Sequence, residues 1–349
     1  MPNNTFHTEK EIRYTEKLRA LQKELPLFCG SFFRNIQNET SVLTRYAYAV
    51  DLKGFFHFLM EDTELFPDRD ILSLTAEDLN KLQPLHIELY LDKMTQYDHD
   101  DRVLTNEKNG IKRKLCSVRS LFRYLAKNEM IEKNAASLVD MPKLHEKEII
   151  RLEPHEVADL LDAVENAEGL TERQKEFNRK TRVRDIAILT LFLGTGIRIS
   201  ELVGIDINDV NFTDNTFVVT RKGGSRDILA FGKEVRDALT DYMTQRNEIV
   251  ACDGHERAFF LSLQKKRITA RAVEQLVQKY ARIVTPLKHI TPHKLRSTYG
   301  TMLYHATQDI YLVADVLGHK DVNTTRKHYA ATSEDLKRKA AEILTLREE

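Results

Sequence analysis

Along the first third of the chain the apolar residues return at intervals of three and four. In "VLTRYAYAVDLKGFFHFLM", residues 42–60, Tyr48, Leu52, Phe55 and Leu59 fall on one side of a helix. A further helix is predicted over "PLHIELYLDKMTQY", residues 84–97, with Pro84 in its first turn. The strongest pattern is "NGIKRKLCSVRSLFRYLAKN", residues 109–128. Ile111, Leu115, Val118, Phe122 and Leu125 form its apolar stripe, and Lys112, Arg119, Arg123 and Lys127 run beside it as a basic edge. Such an edge is either a solvated helix face or a surface for phosphate groups. The first 130 or so residues therefore read as helices joined by short polar turns.

The periodicity breaks in "NAASLVDMPKLHEKEIIRLEPHEV", residues 134–157, where Pro142 and a charged run precede a new helix start near Glu153 to Glu156. This is the candidate linker, dividing a helical domain at 1–145 from a second domain at 150–349. The second domain opens with helices, among them the polar segment "ENAEGLTERQKEFNRKTRVRD" ahead of the apolar "IAILTLFLGTGIR". The stretch from Ala167 to Arg182 reads as an extra loop or a partner contact. Then "TFVVTRKGGSRDILAF", residues 216–231, places two β-rich runs around Gly223 and Gly224, the pattern of a hairpin, with Lys222 at its lip. From residue 268 to the end the pattern is helical again. The fold class expected is mainly α with one small antiparallel sheet in the C-terminal domain.

Length and composition narrow this picture without changing it. At 349 residues the chain suits two domains, each with its own core. Lys plus Arg and Asp plus Glu both number 53, so net charge does not announce a nucleic-acid partner and local clustering must. Cys29, Cys116 and Cys252 are far apart and form no CxxC pair, which argues against a disulfide framework or a structural zinc. The polar N-terminus and the lack of a long apolar run lead us to expect a cytoplasmic protein with no membrane segment.

Three segments hold residues suited to chemistry. Arg198 follows Gly194 and Gly196 just inside what reads as a helix built for burial, with Glu201 three residues on as its pairing carboxylate. A structural ion pair and a functional guanidinium both fit that pattern. In "ITPHKLRSTYG", residues 290–300, Thr291 suits an N-cap and Pro292 the first helical position, so His293 and Arg296 share a face one turn apart, arranged to hold an anion. In "DVLGHKDVNTTRKHYA", residues 315–330, Gly318 suits a left-handed helix stop that projects His319, and Tyr329 follows ten residues later. Two arginines, two histidines, a hairpin lysine and a tyrosine, without an acidic metal cluster, suit metal-free attack of a phenol on a phosphodiester. The cations would neutralise charge growing on the non-bridging oxygens, and the tyrosine would become the covalent carrier.

Taken in order, "GTGIRISEL", the lysine-bearing hairpin, "HKLR" and "LGHKDVNTTRKHY" resemble the tyrosine recombinase, or phage integrase, family, with an Xer-like appearance. The resemblance spans about residues 150–345. The first domain is similar, more softly, to the helical core-binding domain of that family. The resemblance implies that Tyr329 attacks the scissile phosphate to give a 3'-phosphotyrosyl bond and a 5'-hydroxyl, and that Arg198 and Arg296 hold the non-bridging oxygens with His293 assisting. It further implies Lys222 as general acid to the leaving 5' oxygen, His319 on the phosphate or the tyrosine, and Glu201 as the supporting carboxylate. It implies no cofactor, a two-domain clamp of C shape around double-stranded DNA, paired inverted binding sites and a homotetramer. Within that assembly the C-terminal helix at 333–349, patterned by Leu336, Ala340, Ile343 and Leu344, would dock on a neighbour, and an accessory directionality or activator protein is a further expected partner.

Three rival readings have distinguishing tests. A silent DNA-binding regulator on the same scaffold would cut nothing. A type IB topoisomerase or telomere resolvase would not exchange strands between two duplexes. A metal-dependent hydrolase built from His289, His293, His305 and His319 would be stopped by EDTA, and its ligand spacings match no standard pattern.

Overall fold

The computed structural model describes residues 6–99, 102–143, 149–221, 224–319 and 321–326. The chain divides into two compact units, Met1–Lys147 and Glu148–Glu349.

In the first unit the helices are α1 (Phe6–Gln22), α2 (Leu27–Asn35), α3 (Val42–Glu61), α4 (Pro84–Lys93) and α5 (Lys108–Lys127). The Ser41 hydroxyl accepts from the Thr44 N–H and starts α3, satisfying a donor that the first turn leaves without a helical partner. Leu52, Phe55 and Leu59 of α3 are fully buried against Leu115, Val118, Phe122 and Leu125 of α5, so both apolar stripes read from the sequence meet in one core. Phe55 stands edge-on to Tyr90 of α4 and to Phe122, locking three helices together. The helix expected to run to Tyr97 stops at Lys93. Gln96–His99 instead forms β1, antiparallel to β2 (Arg102–Thr105), with Gln96 opposite Thr105 and Tyr97 opposite Leu104. Thr95, Tyr97, Val103 and Thr105 are β-favouring residues around a polar turn, and that local preference overrides the helical spacing before it.

In the second unit the helices are α6 (Pro154–Asn166), α7 (Glu172–Thr195), α8 (Ile199–Leu202), α9 (Lys233–Asn247), α10 (Ala270–Val284), α11 (Pro292–Thr307), α12 (Ile310–Leu317) and α13 (Val322–Thr325). Helix α7 is the axis. Its second half, Ala187, Ile188, Leu189, Leu191 and Phe192, is buried all round beneath α6, α9 and α11. The polar stretch at 167–182, read among the opening helices and also as an extra loop or a partner contact, is largely the first half of this same helix. Thr171 and Gln174 cap each other reciprocally at its start, and buried Asn178, Thr181 and Asp185 bind each other or Tyr280 of α10. Polar residues with internal partners continue a helix into a core as readily as apolar ones.

The sheet has three strands, β3 (Val210–Asn211), β4 (Thr216–Thr220) and β5 (Arg226–Ala230), all antiparallel, with Phe217 opposite Leu229 and Thr220 opposite Arg226. Phe217 and Val219 face the core from β4, and by the two-residue alternation of a strand the next inward position is Arg221. No helix among the described residues is long and apolar enough to cross a membrane.

Candidate active site

The site is assembled where α7 ends. Gly196, in the left-handed conformation with φ of 61°, terminates α7 and turns the chain sharply. A side chain there would collide with Tyr299 of α11, whose Cδ1 is 2.4 Å from an ideal Cβ, and with Leu317 of α12 at 2.8 Å. The tight turn delivers Arg198 to the N-cap of the one-turn helix α8.

This corrects the expectation that Arg198 lies buried within a helix. Its side chain is 32% exposed, and the buried member of the pair is Glu201, 1% exposed. The Glu201 carboxylate reaches back to accept from the Arg198 backbone N–H at 3.0 Å and from its Nη1 at 2.9 Å. The guanidinium is thus fixed by charge-assisted bonds while its outer side stays open to solvent. The buried guanidinium is Arg296, 3% exposed, in the second turn of α11.

Arg296 donates from Nη1 to the Gly196 carbonyl at 2.6 Å and from Nη2 to the Leu317 carbonyl. Arg198 Nη2 donates to the next carbonyl, that of Gly318, at 3.1 Å. Both arginines therefore converge on the last turn of α12 from elements far apart in sequence. As expected, Gly318 takes the left-handed conformation, φ 61°, and ends α12. The His319 N–H closes that cap on the Ala314 carbonyl at 2.9 Å, and the imidazole Nδ1 lies 2.8 Å from the Thr325 hydroxyl of α13. His293 sits on the exposed side of the first turn of α11, behind Thr291 at the N-cap and Pro292. Lys222 and Tyr329 lie outside the described residues, as does the segment 333–349.

One residue of the site was not singled out from the sequence. Arg221, whose side chain is only 9% exposed, points its Nη1 at both Glu201 oxygens, at 3.4 Å each. It also binds Asp227 of β5 through Nε at 3.0 Å and donates to the Val316 carbonyl at 3.3 Å. Three successive carbonyls at the end of α12, those of Val316, Leu317 and Gly318, thus each accept from a different arginine. The available signal was the strand alternation, which puts a cation at an inward position after Phe217 and Val219.

On α5 the basic edge is uneven. Arg123 and Lys127 are exposed and Lys112 is half-buried. Arg119 donates to the Ala136 carbonyl at 3.0 Å and to that of Val139, tying down the segment that follows α5. Burial raises the Cys29 thiol well above its ordinary value, and Cys116 and Cys252 are half-buried free thiols.

Residues 151–335 match the profile of the Phage integrase family. The chain belongs to that family. It is 30% identical over 336 residues to the tyrosine recombinase XerS of Streptococcus thermophilus strain CNRZ 1066, covering 89% of this chain and 93% of the relative. It is also 30% identical over 333 residues to XerS of Streptococcus uberis, with the same coverage. Among solved structures, the XerH site-specific recombinase bound to palindromic difH substrate matches with a TM-score of 0.64 at 18% identity, over 87% of this chain and 81% of that one. The Tn1549 transposon integrase in complex with circular intermediate DNA matches at 0.64 and 20%, over 91% and 99%. The fold is that of the tyrosine recombinases, and the chain is a tyrosine-type site-specific recombinase.

Proposed function

We propose that this recombinase cuts and rejoins double-stranded DNA through a 3'-phosphotyrosyl intermediate, with Tyr329 as nucleophile. Attack of the tyrosine oxygen on the scissile phosphorus forms the phosphotyrosyl bond and breaks the bond to the 5' oxygen, which leaves with a proton from Lys222. Arg198 and Arg296 stabilise the two non-bridging oxygens as negative charge builds on them, with His293 and His319 as further donors. The released 5'-hydroxyl of a second strand reverses the step on its new partner, so the broken ester's energy is kept and no ATP is consumed. Pairs of such exchanges pass through a Holliday junction.

The observation that carries this reading is the convergence of Arg198 and Arg296 on one helix end, beside His319, from positions 120 and 21 residues before it. Separate elements bring guanidiniums together against their mutual repulsion where an anion is to be received. The partner is double-stranded DNA, with the exposed Arg123 and Lys127 and the half-buried Lys112 of the first unit contributing phosphate contacts and Arg119 bracing them. Four protomers act on paired inverted sites, because two duplexes require four cleavages, and residues 333–349 join neighbours. The protein works in the cytoplasm on the nucleoid.

Trapping on a suicide substrate tests the chemistry: a duplex nicked near the core site, incubated in EDTA and resolved on a denaturing gel. The wild-type chain is expected to give a covalent protein–DNA band that Tyr329→Phe abolishes. A band that survives in the Phe variant, or no band on a site the protein binds, overturns the proposal.

A further inference from the structure

Arg221 is the least expected cation of the second unit. It is almost fully enclosed, and an enclosed guanidinium is costly unless its surroundings fix it with several hydrogen bonds. Those bonds are present, and they lead to three different elements. Glu201 belongs to α8, Asp227 to β5, and the Val316 carbonyl to α12. The fit against α12 is close. An ideal Cβ on Gly318 would lie 2.9 Å from the Arg221 Cζ, so the glycine that stops α12 also makes room for this guanidinium.

The arrangement has an electrostatic consequence for Arg198. Were Glu201 paired with Arg198 alone, the two charges would largely cancel, and a phosphate arriving at Arg198 would meet a neutral pair. With Arg221 on the same carboxylate at 3.4 Å, two cations share one buried anion; counting Asp227, which Arg221 also binds at 2.9 Å, the four charges sum to zero, where without Arg221 they would sum to minus one. Asp227, the other anion on Arg221, has a side chain 47% exposed, so its charge is met by solvent as well as by Arg221. Arg198 is the member of the trio that opens to solvent. The positive charge that Arg221 adds is therefore felt on the side of Arg198.

Resting on the recombinase reading above, we propose that Arg221 is a positioning residue of the cleavage reaction: by sharing Glu201 with Arg198 it keeps the Arg198 guanidinium aligned and lessens its compensation by that carboxylate, so that its charge acts on the scissile phosphate. In this role Arg221 acts through Glu201 rather than on the phosphate itself. The same clamp ties β4 to α8 and α12 at the strand end from which the chain continues to Lys222.

The test compares two suicide duplexes of identical sequence, one with a normal scissile phosphate and one in which a methyl group replaces a non-bridging oxygen, so that the ground-state charge is removed. Full-length wild type, Arg221→Gln and Arg221→Lys are each assayed for strand cleavage on both, after DNA binding has been measured. The quantity read is the ratio of the two rates within one protein, which cancels any difference in folded fraction. Arg221→Gln is expected to cut the phosphate about 10-fold or more slowly than wild type, a lesser loss than for a direct oxyanion donor. On the methylphosphonate it should come within a few-fold of wild type, and Arg221→Lys, which keeps the charge, should recover much of the phosphate rate. An equal deficit of Arg221→Gln on the two substrates makes Arg221 a purely structural clamp and overturns the proposal, as does a wild-type rate on phosphate. If wild type itself forms no adduct on a bound site, the underlying recombinase reading fails, and this inference with it.

Discussion

Each unit of this protein buries a carboxylate between two cations, and two of these trios, one from each unit, are tied into the fold differently. In the first unit Asp51, on α3, is enclosed and binds Arg113 and Lys114 of α5. In the second, Glu201 binds Arg198 and Arg221. Charge, burial and partner number are alike. What separates them is connectivity. The Asp51 trio joins two neighbouring helices whose stripes already pack, and the Tyr90 hydroxyl donates to the Asp51 carbonyl to complete a local knot. Burial raises the Asp51 pKa despite both cations, the mark of a group whose enclosure outweighs its pairing. The Glu201 trio joins a one-turn helix, a strand end and the cap of α12, and Arg296 enters the same helix end from α11. An ion pair is a weak indicator of function by itself, and the proposed role of the Glu201 trio rests on the elements that meet there.

Substituting one cation in each trio is the most direct way to break this comparison. Arg198→Ala is expected to lower strand cleavage per folded molecule by about 10²- to 10³-fold while DNA binding changes little, besides costing about 1–3 kcal/mol of stability because it too strips a hydrogen bond from an enclosed carboxylate. Arg113→Ala should leave cleavage per folded molecule intact and lower stability by about 1–3 kcal/mol, since it strips a hydrogen bond from an enclosed carboxylate. Adduct formation and urea unfolding on the same preparations decide it, and the comparison collapses if both variants lose only stability.

A smaller effect is expected where the backbone supports the site. Gly196→Ala forces a methyl group against Tyr299 and Leu317 at a positive φ, and should cost about 1–3 kcal/mol. Because the Gly196 carbonyl holds Arg296, cleavage per folded molecule should fall as well. A variant that is destabilised yet cleaves normally would detach the turn from the chemistry.

The smallest effect concerns a carboxylate at the surface of the first unit. Asp78 is held at about 2, foremost by the hydrogen bond from Arg69 at 2.8 Å, with the N–H and hydroxyl of Thr75 adding to it. A depressed carboxylate stabilises the fold above its unfolded value near 4, and that contribution is lost as pH falls toward 2. Asp78→Asn should therefore melt below wild type at pH 7, with the gap narrowing between about pH 5 and 3. A gap that does not vary with pH would assign the loss to geometry rather than charge.

Several features were legible because they depend on local rules. The apolar stripes of α3 and α5 need only helical spacing, the stop at Gly318 needs only a residue without Cβ, and Thr291 with Pro292 marks the start of α11. The readings that failed depended on context. The helix drawn through Tyr97 ignored a turn sequence, and the polar residues after Ala167 show no apolar stripe because buried partners such as Tyr280 are about 100 residues away, which leaves loop and helix open in the sequence. Arg221 went unremarked beside Lys222, since nothing local says that an arginine in a hairpin faces inward to a carboxylate 20 residues before it.

By itself, the sequence determined the two-part organisation of helices with a small sheet, the family, and which residues are candidates for the chemistry, because spacing and side-chain chemistry are properties of the chain. Tertiary structure alone decided that Arg296 is buried while Arg198 opens to solvent, that Arg119 is occupied by carbonyls of its own unit, and that Glu201 serves two arginines. Burial, charge sharing and the filling of donors depend on which distant segments come together, and no periodicity along the chain records that.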